Sequence, residues 1–587
     1  MSEKKLMLGN AAVARGLYEA GCRFVSSYPG TPSTEITEYA AEYDEIYAEW
    51  APNEKVSAEA AIGASIGGAR SFCGMKHVGL NVAADPAFIS SYIGVNGGFV
   101  IAVADDPGMH SSQNEQDSRH YAIAAKLPMI EPSDSSECLN YTKLAFELSE
   151  RFDTPFILRL STRISHSLSI VELNERQEVE LKEYKKDPAK YIMMPAYARG
   201  RHVAVEERFV KLAEFAETCE LNKIEYSDKN DQKIGIITSG AAYQYIKEAL
   251  GDNASYLKLG LVNPLPVKLI REFANNVDRV IVIEELDDVI ETWCKKIGIK
   301  TDGKNILPVI GEYSQELLRN KILNEKKDYF ELSEDMNIPG RPPVLCSGCP
   351  HRGIFYVLKK LKLMVSGDIG CYTLGANAPL SAMDTTLCMG ASISALHGFN
   401  KARGIESAKN SIAVIGDSTF MHSGITGLID ITYNLGVSKV LILDNSTTGM
   451  TGQQQNPSTG YTLKGEEVYG ISIEGICRGS GIKEENIKII DPYDIAESER
   501  VLKEELAKEE PSVIIARRPC LLLKHVKKDK KYIIKDCKGC KRCVAVGCPS
   551  IKFEDKKAEI DLASCTGCGL CEQLCNLNAI SEYAEVK

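Results

Sequence analysis

Apolar runs alternate with helical patterns along much of this chain. Residues 233–240 (KIGIITSG) lead into the helical pattern of 241–250, and residues 280–284 (VIVIE) into that of 287–296. Residues 411–415 (SIAVI) precede a glycine-containing loop and a helical stretch, after which residues 440–444 (VLILD) form another apolar run. Strands that alternate with helices in this way predict an α/β fold of parallel, doubly wound sheets. Two charged, poorly patterned stretches, 175–190 and 324–343, predict connections. They divide the chain into segments near 1–175, 195–320 and 340–525, with a cysteine-rich remainder at 530–587. The basic stretch 524–535 (KHVKKDKKYIIK) reads equally as the linker to that remainder or as a solvated strand edge.

Length and composition narrow the class. At 587 residues the chain is too long for one hydrophobic core and predicts about four domains. With 44% hydrophobic and 25% charged residues it has the composition of a soluble globular protein. A net charge of −11 argues against a nucleic-acid partner, which would need a basic stripe. No apolar run approaches the ~18 residues that span a bilayer, and residues 1–9 (MSEKKLMLG) lack the apolar core of a signal peptide. The expectation is a cytoplasmic protein with no membrane partner. In that compartment the nineteen cysteines predict metal or redox sites rather than disulfides.

Eight of them form two runs, Cys537, Cys540, Cys543, Cys548 and Cys565, Cys568, Cys571, Cys575. Each opens with C-x2-C-x2-C, which lets three thiolates from one short loop cap a face of an iron–sulfur cube, while the fourth cysteine ligates the other cluster. The expected sets for two [4Fe–4S] clusters are therefore Cys537, Cys540, Cys543 with Cys575, and Cys565, Cys568, Cys571 with Cys548. Two departures stand out. The first run ends with a four-residue gap where three is usual, and Asn576 stands where the second run would carry proline. A pair of zinc sites is the alternative that thiolates also suit, although zinc seldom takes this spacing twice.

A second constellation is Gly416-Asp417-Ser418 followed by Asn445. Gly416 is expected to let the chain turn sharply at a strand end and bring N–H groups to a diphosphate. Asp417 offers a hard carboxylate for Mg2+, Asn445 a neutral oxygen, and Thr447 its backbone carbonyl, a set that suits an octahedral ion. A Gly-Asp-Ser strand end is also common without this role. Its continuation, residues 444–457 (DNSTTGMTGQQQNP), makes the pattern much more specific.

The G-D-S…N pattern with T-G-M-T-G-Q resembles the thiamine diphosphate-dependent 2-oxoacid:ferredoxin oxidoreductases. The resemblance runs the full length, and residues 53–55 (NEK), 75–81 (MKHVGLN) and 349–353 (CPHRG) favour the alpha subunits that act on aryl 2-oxoacids, indolepyruvate before others. It implies a thiamine pyrimidine-binding domain at 1–175, a middle α/β domain of transketolase C-terminal type at 195–320, a diphosphate/Mg2+ domain at 340–525 and a ferredoxin-like domain at 530–587. It implies that Thr31, in the loop 28–33 (YPGTPS), lies against the substrate carboxylate; the same residues are also good turn and helix-cap chemistry. It implies that Glu54 hydrogen-bonds the aminopyrimidine of the cofactor, a role that Glu59, about one helical turn on, contests. Residues 105–119 (DDPGMHSSQNEQDSR) occupy a substrate-contacting place in relatives but receive no individual role.

The resemblance also bears on Cys346, Cys349, Cys371 and Cys520. Relatives hold a third [4Fe–4S] cluster with such a pattern, close to the thiamine. Dispersed cysteines are otherwise buried small hydrophobes, the reading given to Cys22, Cys73, Cys138, Cys219, Cys294, Cys388 and Cys477. Both readings stand for the set of four. The implied reaction is oxidative decarboxylation with coenzyme A to an acyl-CoA and CO2, with ferredoxin as acceptor and a smaller beta subunit as partner in an alpha2beta2 assembly. A non-oxidative decarboxylase leaves the eight clustered cysteines unexplained, and a pure electron-transfer subunit leaves the thiamine pattern so.

Overall fold

A computed structural model of the chain describes residues 3–229, 233–325, 338–528 and 530–583. It divides into two compact units, Met1–Ser333 and Glu334–Lys587. Most of the connection expected at 324–343 lies outside the described residues, as does Asp529 in the basic stretch.

Among the described residues, the first unit holds a seven-stranded and a four-stranded sheet. The larger runs in the spatial order Leu261–Asn263, Met129–Ile130, Phe156–Ser161, Phe99–Asp105, Ser71–Lys76, Phe24–Ser27, Tyr47–Trp50. Its strands are parallel except Leu261–Asn263, which pairs antiparallel with Met129–Ile130. Phe99–Asp105 (FVIAVAD) is buried at every position, as a central strand of a parallel sheet covered on both faces must be. The smaller sheet runs Arg279–Ile283, Ile234–Thr238, Ser255–Leu259, Asn222–Glu225.

The edge strand Leu261–Asn263 belongs to the middle segment of the sequence, so the two segments share a sheet. They share a core as well, since Ile101, Val103 and Met129 pack in one cluster with Ile237, Leu257 and Val282. Between the two sheets lies a buried ion network. Arg159 holds Asp105 at 2.8 Å and Glu131 at 2.5 Å, while Arg119 holds Asp117 at 2.5 Å and pairs with Glu284. Charges so deeply buried persist only when each is answered by its opposite. This network welds the 105–119 stretch to the middle segment.

In the second unit, six parallel strands among the described residues run Thr385–Thr386, Met364–Gly367, Ser411–Gly416, Lys439–Asp444, Ser512–Arg517, Ile487–Ile490. The cysteine-rich end is built on two small antiparallel ribbons, Tyr532–Ile534 with Ile580–Glu582 and Ile551–Glu554 with Lys557–Ile560. Its own core is slight: Tyr532, Cys543, Ala558 and Ile580. Val546, Leu570 and Leu574 instead join the core of the large sheet with Leu345, Cys349 and Ile354. So small an element gains part of its burial from its neighbour.

Candidate active site and cysteine clusters

The strand Ser411–Gly416 lies parallel to Lys439–Asp444, with Gly416 opposite Leu443, so Asp417 and Asn445 leave the same end of adjacent strands. Gly416 itself is extended (φ −81°) rather than sharply turned. A side chain there is excluded by the Tyr372 ring, which a Cβ would approach to 2.6 Å. The sharp turn falls instead at Ser446, whose φ of +58° starts the loop that follows the next strand. Asp417 is 2% exposed and accepts a 3.2 Å hydrogen bond from Asn456. Burial, with Asp444 nearby, pushes its carboxyl up to about 7. A buried carboxylate in that state is short of positive charge, which a divalent ion would supply. Ser418 accepts a 2.8 Å hydrogen bond from Thr448. The Asn445 side chain accepts from the Thr447 N–H at 3.2 Å, and Thr447 Oγ1 donates to the Gln454 carbonyl at 3.2 Å. The T-G-M-T-G-Q loop is thereby folded over the end of the strand.

Cys346 and Cys349 share one loop, and Cys371 and Cys520 are brought to them from elsewhere in the sequence. Each of Cys349, Cys371 and Cys520 has its thiol pushed up first by burial and then by others of the four, Cys349 to about 12 and Cys371 to about 11. The Cys520 N–H donates to the Asn445 carbonyl at 2.9 Å. Gly449, within the loop, leaves room for Cys371, whose sulfur would lie 3.4 Å from a Cβ there. Four thiols gathered in this way could hold a cationic group that takes them as thiolates. Of the cysteines read as buried hydrophobes, Cys22, Cys73, Cys138, Cys219, Cys294 and Cys477 are buried, but Cys388 is exposed on the loop before the helix Ala391–Arg403.

The eight remaining cysteines line two cavities. One is bounded by Cys548, Cys565, Cys568 and Cys571. The other is bounded by Cys537, Cys540, Cys543 and Cys575. Each fourth cysteine has thus crossed to the other run's cavity. Among the described residues no three His, Cys, Asp or Glu side chains converge on a single ion. A cube needs its thiolates spaced around a void, and both cavities supply one. The long gap after Cys543 is taken up by a 3-10 turn, Cys543–Val546, closed by Gly547 at φ +69°.

In the first unit, Asn53 caps the helix Glu54–Ile66 by accepting the Val56 N–H at 2.9 Å. Glu54 is 4% exposed and lies against Gly79, where a Cβ would come within 2.7 Å of its Oε1. Glu59 points to solvent and pairs with Lys55. Thr31 is half-buried, and its carbonyl accepts from Ser111 Oγ at 3.2 Å. The turn that holds it is closed by the Ser33 N–H on the Gly30 carbonyl at 2.9 Å.

Three polar residues in this region carried no role in the sequence. Lys76 passes over Gly30, donates to the Ser111 carbonyl at 2.9 Å, and feels the charges of Asp106 and Glu54. Burial lowers its pKa. Asp106 is held below the carboxylate range, against its burial, by Thr162 at 2.6 Å, Ser112 at 2.7 Å and the Ser111 N–H at 2.8 Å. Burial, with Lys76 adjacent, holds His77 down to about 4, so it is neutral. The signal was present in residues 75–81 and 105–119, but only folding joins the two stretches.

Fold and sites together define a thiamine diphosphate-dependent oxidoreductase with an iron–sulfur module. Family models match in three places. Residues 15–226 match "Pyruvate flavodoxin/ferredoxin oxidoreductase, thiamine diP-bdg", residues 368–516 match "Thiamine pyrophosphate enzyme, C-terminal TPP binding domain", and residues 530–576 match "4Fe-4S dicluster domain". The "Indolepyruvate oxidoreductase subunit IorA" of Archaeoglobus fulgidus is 40% identical over 98% of this chain and 97% of that protein. The protein of the same name from Thermococcus kodakarensis is 40% identical over 99% and 98%. A "2-oxoglutarate synthase subunit KorA" from Methanothermobacter marburgensis is 26% identical over 56% of this chain and all of that one. A solved 2-oxoglutarate:ferredoxin oxidoreductase from Magnetococcus marinus aligns at 17% identity and a TM-score of 0.48, over 55% of this chain and 65% of that one. The chain belongs to the family of indolepyruvate oxidoreductase subunits. Among the described residues no helix is long and apolar enough to cross a membrane.

Proposed function

We propose that this chain is the cluster-bearing alpha subunit of a cytoplasmic enzyme that oxidatively decarboxylates aryl 2-oxoacids, with indolepyruvate preferred. The 2-oxoacid anion and coenzyme A give the aryl-acetyl-CoA and CO2, and two electrons pass singly through the clusters to two ferredoxins while the thiol proton of coenzyme A is released. A smaller beta subunit completes an alpha2beta2 assembly. The segments 1–175, 195–320, 340–525 and 530–587 serve as the pyrimidine-binding, middle, diphosphate-binding and ferredoxin-like domains. The observation that carries this reading is the hydrogen bond from Cys520 to Asn445, which ties a four-thiol set to a diphosphate-type loop.

The residues divide the work. Gly416 and Ser418 border the diphosphate, and Asp417, Asn445 and the Thr447 carbonyl hold its Mg2+. Glu54, buried and fixed at a capped helix start, accepts a hydrogen bond from the aminopyrimidine. Thiamine diphosphate, when bound, supplies the carbon nucleophile and the electron sink. Thr31 and the half-buried cation of Lys76 hold the 2-oxoacid carboxylate, where reduced local polarity strengthens the attraction. Cys346, Cys349, Cys371 and Cys520 hold the first of three [4Fe–4S] clusters. The cavity lined by Cys548, Cys565, Cys568 and Cys571 also touches Gly348 and Arg352 of the first set's loop, so its cluster is next in line. The remaining set, Cys537, Cys540, Cys543 and Cys575, is then the exit to ferredoxin.

The test is an anaerobic assay of CoA-dependent dye reduction with the partner subunit present, comparing indolepyruvate, phenylpyruvate, pyruvate and 2-oxoglutarate. The two aryl substrates should turn over fastest, and a preference for either of the others overturns the substrate assignment. Iron analysis should give about twelve atoms per chain, whereas about eight removes the first cluster.

A further inference from the structure

Arg352 is 2% exposed, and its guanidinium is spent on backbone carbonyls from two distant loops. Nε donates to Cys346 at 2.8 Å and Nη2 to Leu345, while Nη1 donates to Gly547 at 2.5 Å and Val546 at 3.2 Å. The first pair belongs to the loop of Cys346 and Cys349. The second belongs to the long gap between Cys543 and Cys548. The residue added in that gap therefore has a structural use: the turn ending at Gly547 presents two carbonyls to Arg352. Gly547 is required there, because its φ is +69° and a Cβ would come 3.2 Å from Nη1 and 2.9 Å from Pro379.

All four acceptors are neutral, so the guanidinium keeps its full positive charge for whatever anionic groups adjoin it. Those groups are cysteines of both sets, anionic as thiolates. Arg352 feels the charges of Cys346 and Cys349 from one set and of Cys548 and Cys568 from the other, and it lines the cavity of Cys548, Cys565, Cys568 and Cys571. A reduced [4Fe–4S] cluster carries one more negative charge than the oxidised one. A fixed buried cation beside it favours reduction and raises its potential.

We infer that Arg352 is a positioning residue for electron transfer, its charge raising the potentials of the two inner clusters and its fork clamping the loops that set the gap between them. In each passage one electron leaves the first cluster and enters the second; no bond is made or broken and no proton moves. The inference rests on the three-cluster reading above.

The experiment is an EPR-monitored redox titration of the holoenzyme as wild type, Arg352→Gln and Arg352→Lys, with iron measured on each. Wild type with about eight iron atoms removes the three-cluster reading itself, while about twelve leaves the inference open to its own test. Arg352→Gln removes the charge and should make two of the three clusters harder to reduce by about tenfold in reduced-to-oxidised ratio at fixed potential, ~59 mV for a one-electron couple. The third, held by Cys537, Cys540, Cys543 and Cys575, should not move. Arg352→Lys keeps the charge, so its potentials should match wild type, while freeze-quenched electron passage to the outer clusters should slow because the fork is gone. Unchanged potentials in loaded Arg352→Gln overturn the inference, as does an equal shift of all three clusters. If Arg352→Gln fails to hold iron, a loaded Arg352→Lys with displaced potentials overturns it and one with wild-type potentials supports it.

Discussion

The backbone N–H of Cys520 donates to the carbonyl of Asn445 at 2.9 Å, so a thiol from the end of the last long strand is fixed to the loop expected to hold Mg2+. On the proposed reading, cluster and cofactor site are one construction. Cys520→Ser leaves that backbone bond intact and removes a single ligand. Iron should fall by about four atoms per chain. Thiamine diphosphate should still bind, as calorimetry can show, while 2-oxoacid-dependent dye reduction is lost. Iron content equal to wild type would falsify the assignment of Cys520.

Glu54 and Glu59 share a helix but not an environment, one buried against Gly79 and the other paired with Lys55 at the surface. Glu54→Gln should reduce turnover by about 10²-fold or more, the scale of a lost proton-handling group. Glu59→Gln should leave turnover unchanged. The reverse ranking in the dye assay moves the cofactor contact to Glu59.

Lys76→Met removes the half-buried cation over the Thr31 loop while keeping roughly the length of the stem. If Lys76 grips the 2-oxoacid carboxylate, KM should rise by about tenfold or more, the worth of a charge-assisted hydrogen bond. Iron content and thermal stability should be those of wild type. A fall in kcat with KM unchanged assigns Lys76 to another task.

Glu285 carries the clearest pH dependence in the first unit. Burial, reinforced by Glu312 and Glu131, pushes its carboxyl up to about 7 from 4.5, while the Tyr313 N–H, 2.8 Å away, pulls it down. Between those two values the folded chain holds the proton and the unfolded chain has released it. Stability is therefore fully present below about pH 4.5 and declines as pH rises towards 7, by about 3 kcal/mol at most. Glu285→Gln should abolish that decline, giving a higher melting temperature than wild type at pH 8 and the same one at pH 4.5. A wild-type slope that persists in the variant assigns it to other groups.

Lys538 and Lys541 line the outer cavity beside exposed Cys540. An acidic ferredoxin would be steered to such a surface, and salt would screen the attraction. Raising ionic strength should slow ferredoxin reduction while leaving a neutral dye unaffected. Lys538→Glu with Lys541→Glu should lower kcat/KM for ferredoxin about tenfold at low salt. Equal effects on dye and ferredoxin place the acceptor elsewhere.

The sequence by itself determined what is local. Three thiols at C-x2-C-x2-C are adjacent because one short loop carries them, and the α/β alternation is legible because buried strands are short apolar runs. Asp417 and Asn445 were legible for the same reason, each ending an apolar strand. Tertiary structure decided what depends on distant contact. Gly416 is needed for the Tyr372 ring rather than for a sharp turn, and no spacing announces a ring 44 residues upstream. Lys76 and Asp106 meet only because parallel strands bring their ends together, while Asp117 and Arg119 from the same polar run turn into a structural ion network. Arg352 had looked like part of a motif beside Cys349. Only the folded chain places the carbonyls of residues 546 and 547 on it, because a guanidinium taken out of water must find acceptors wherever the fold provides them.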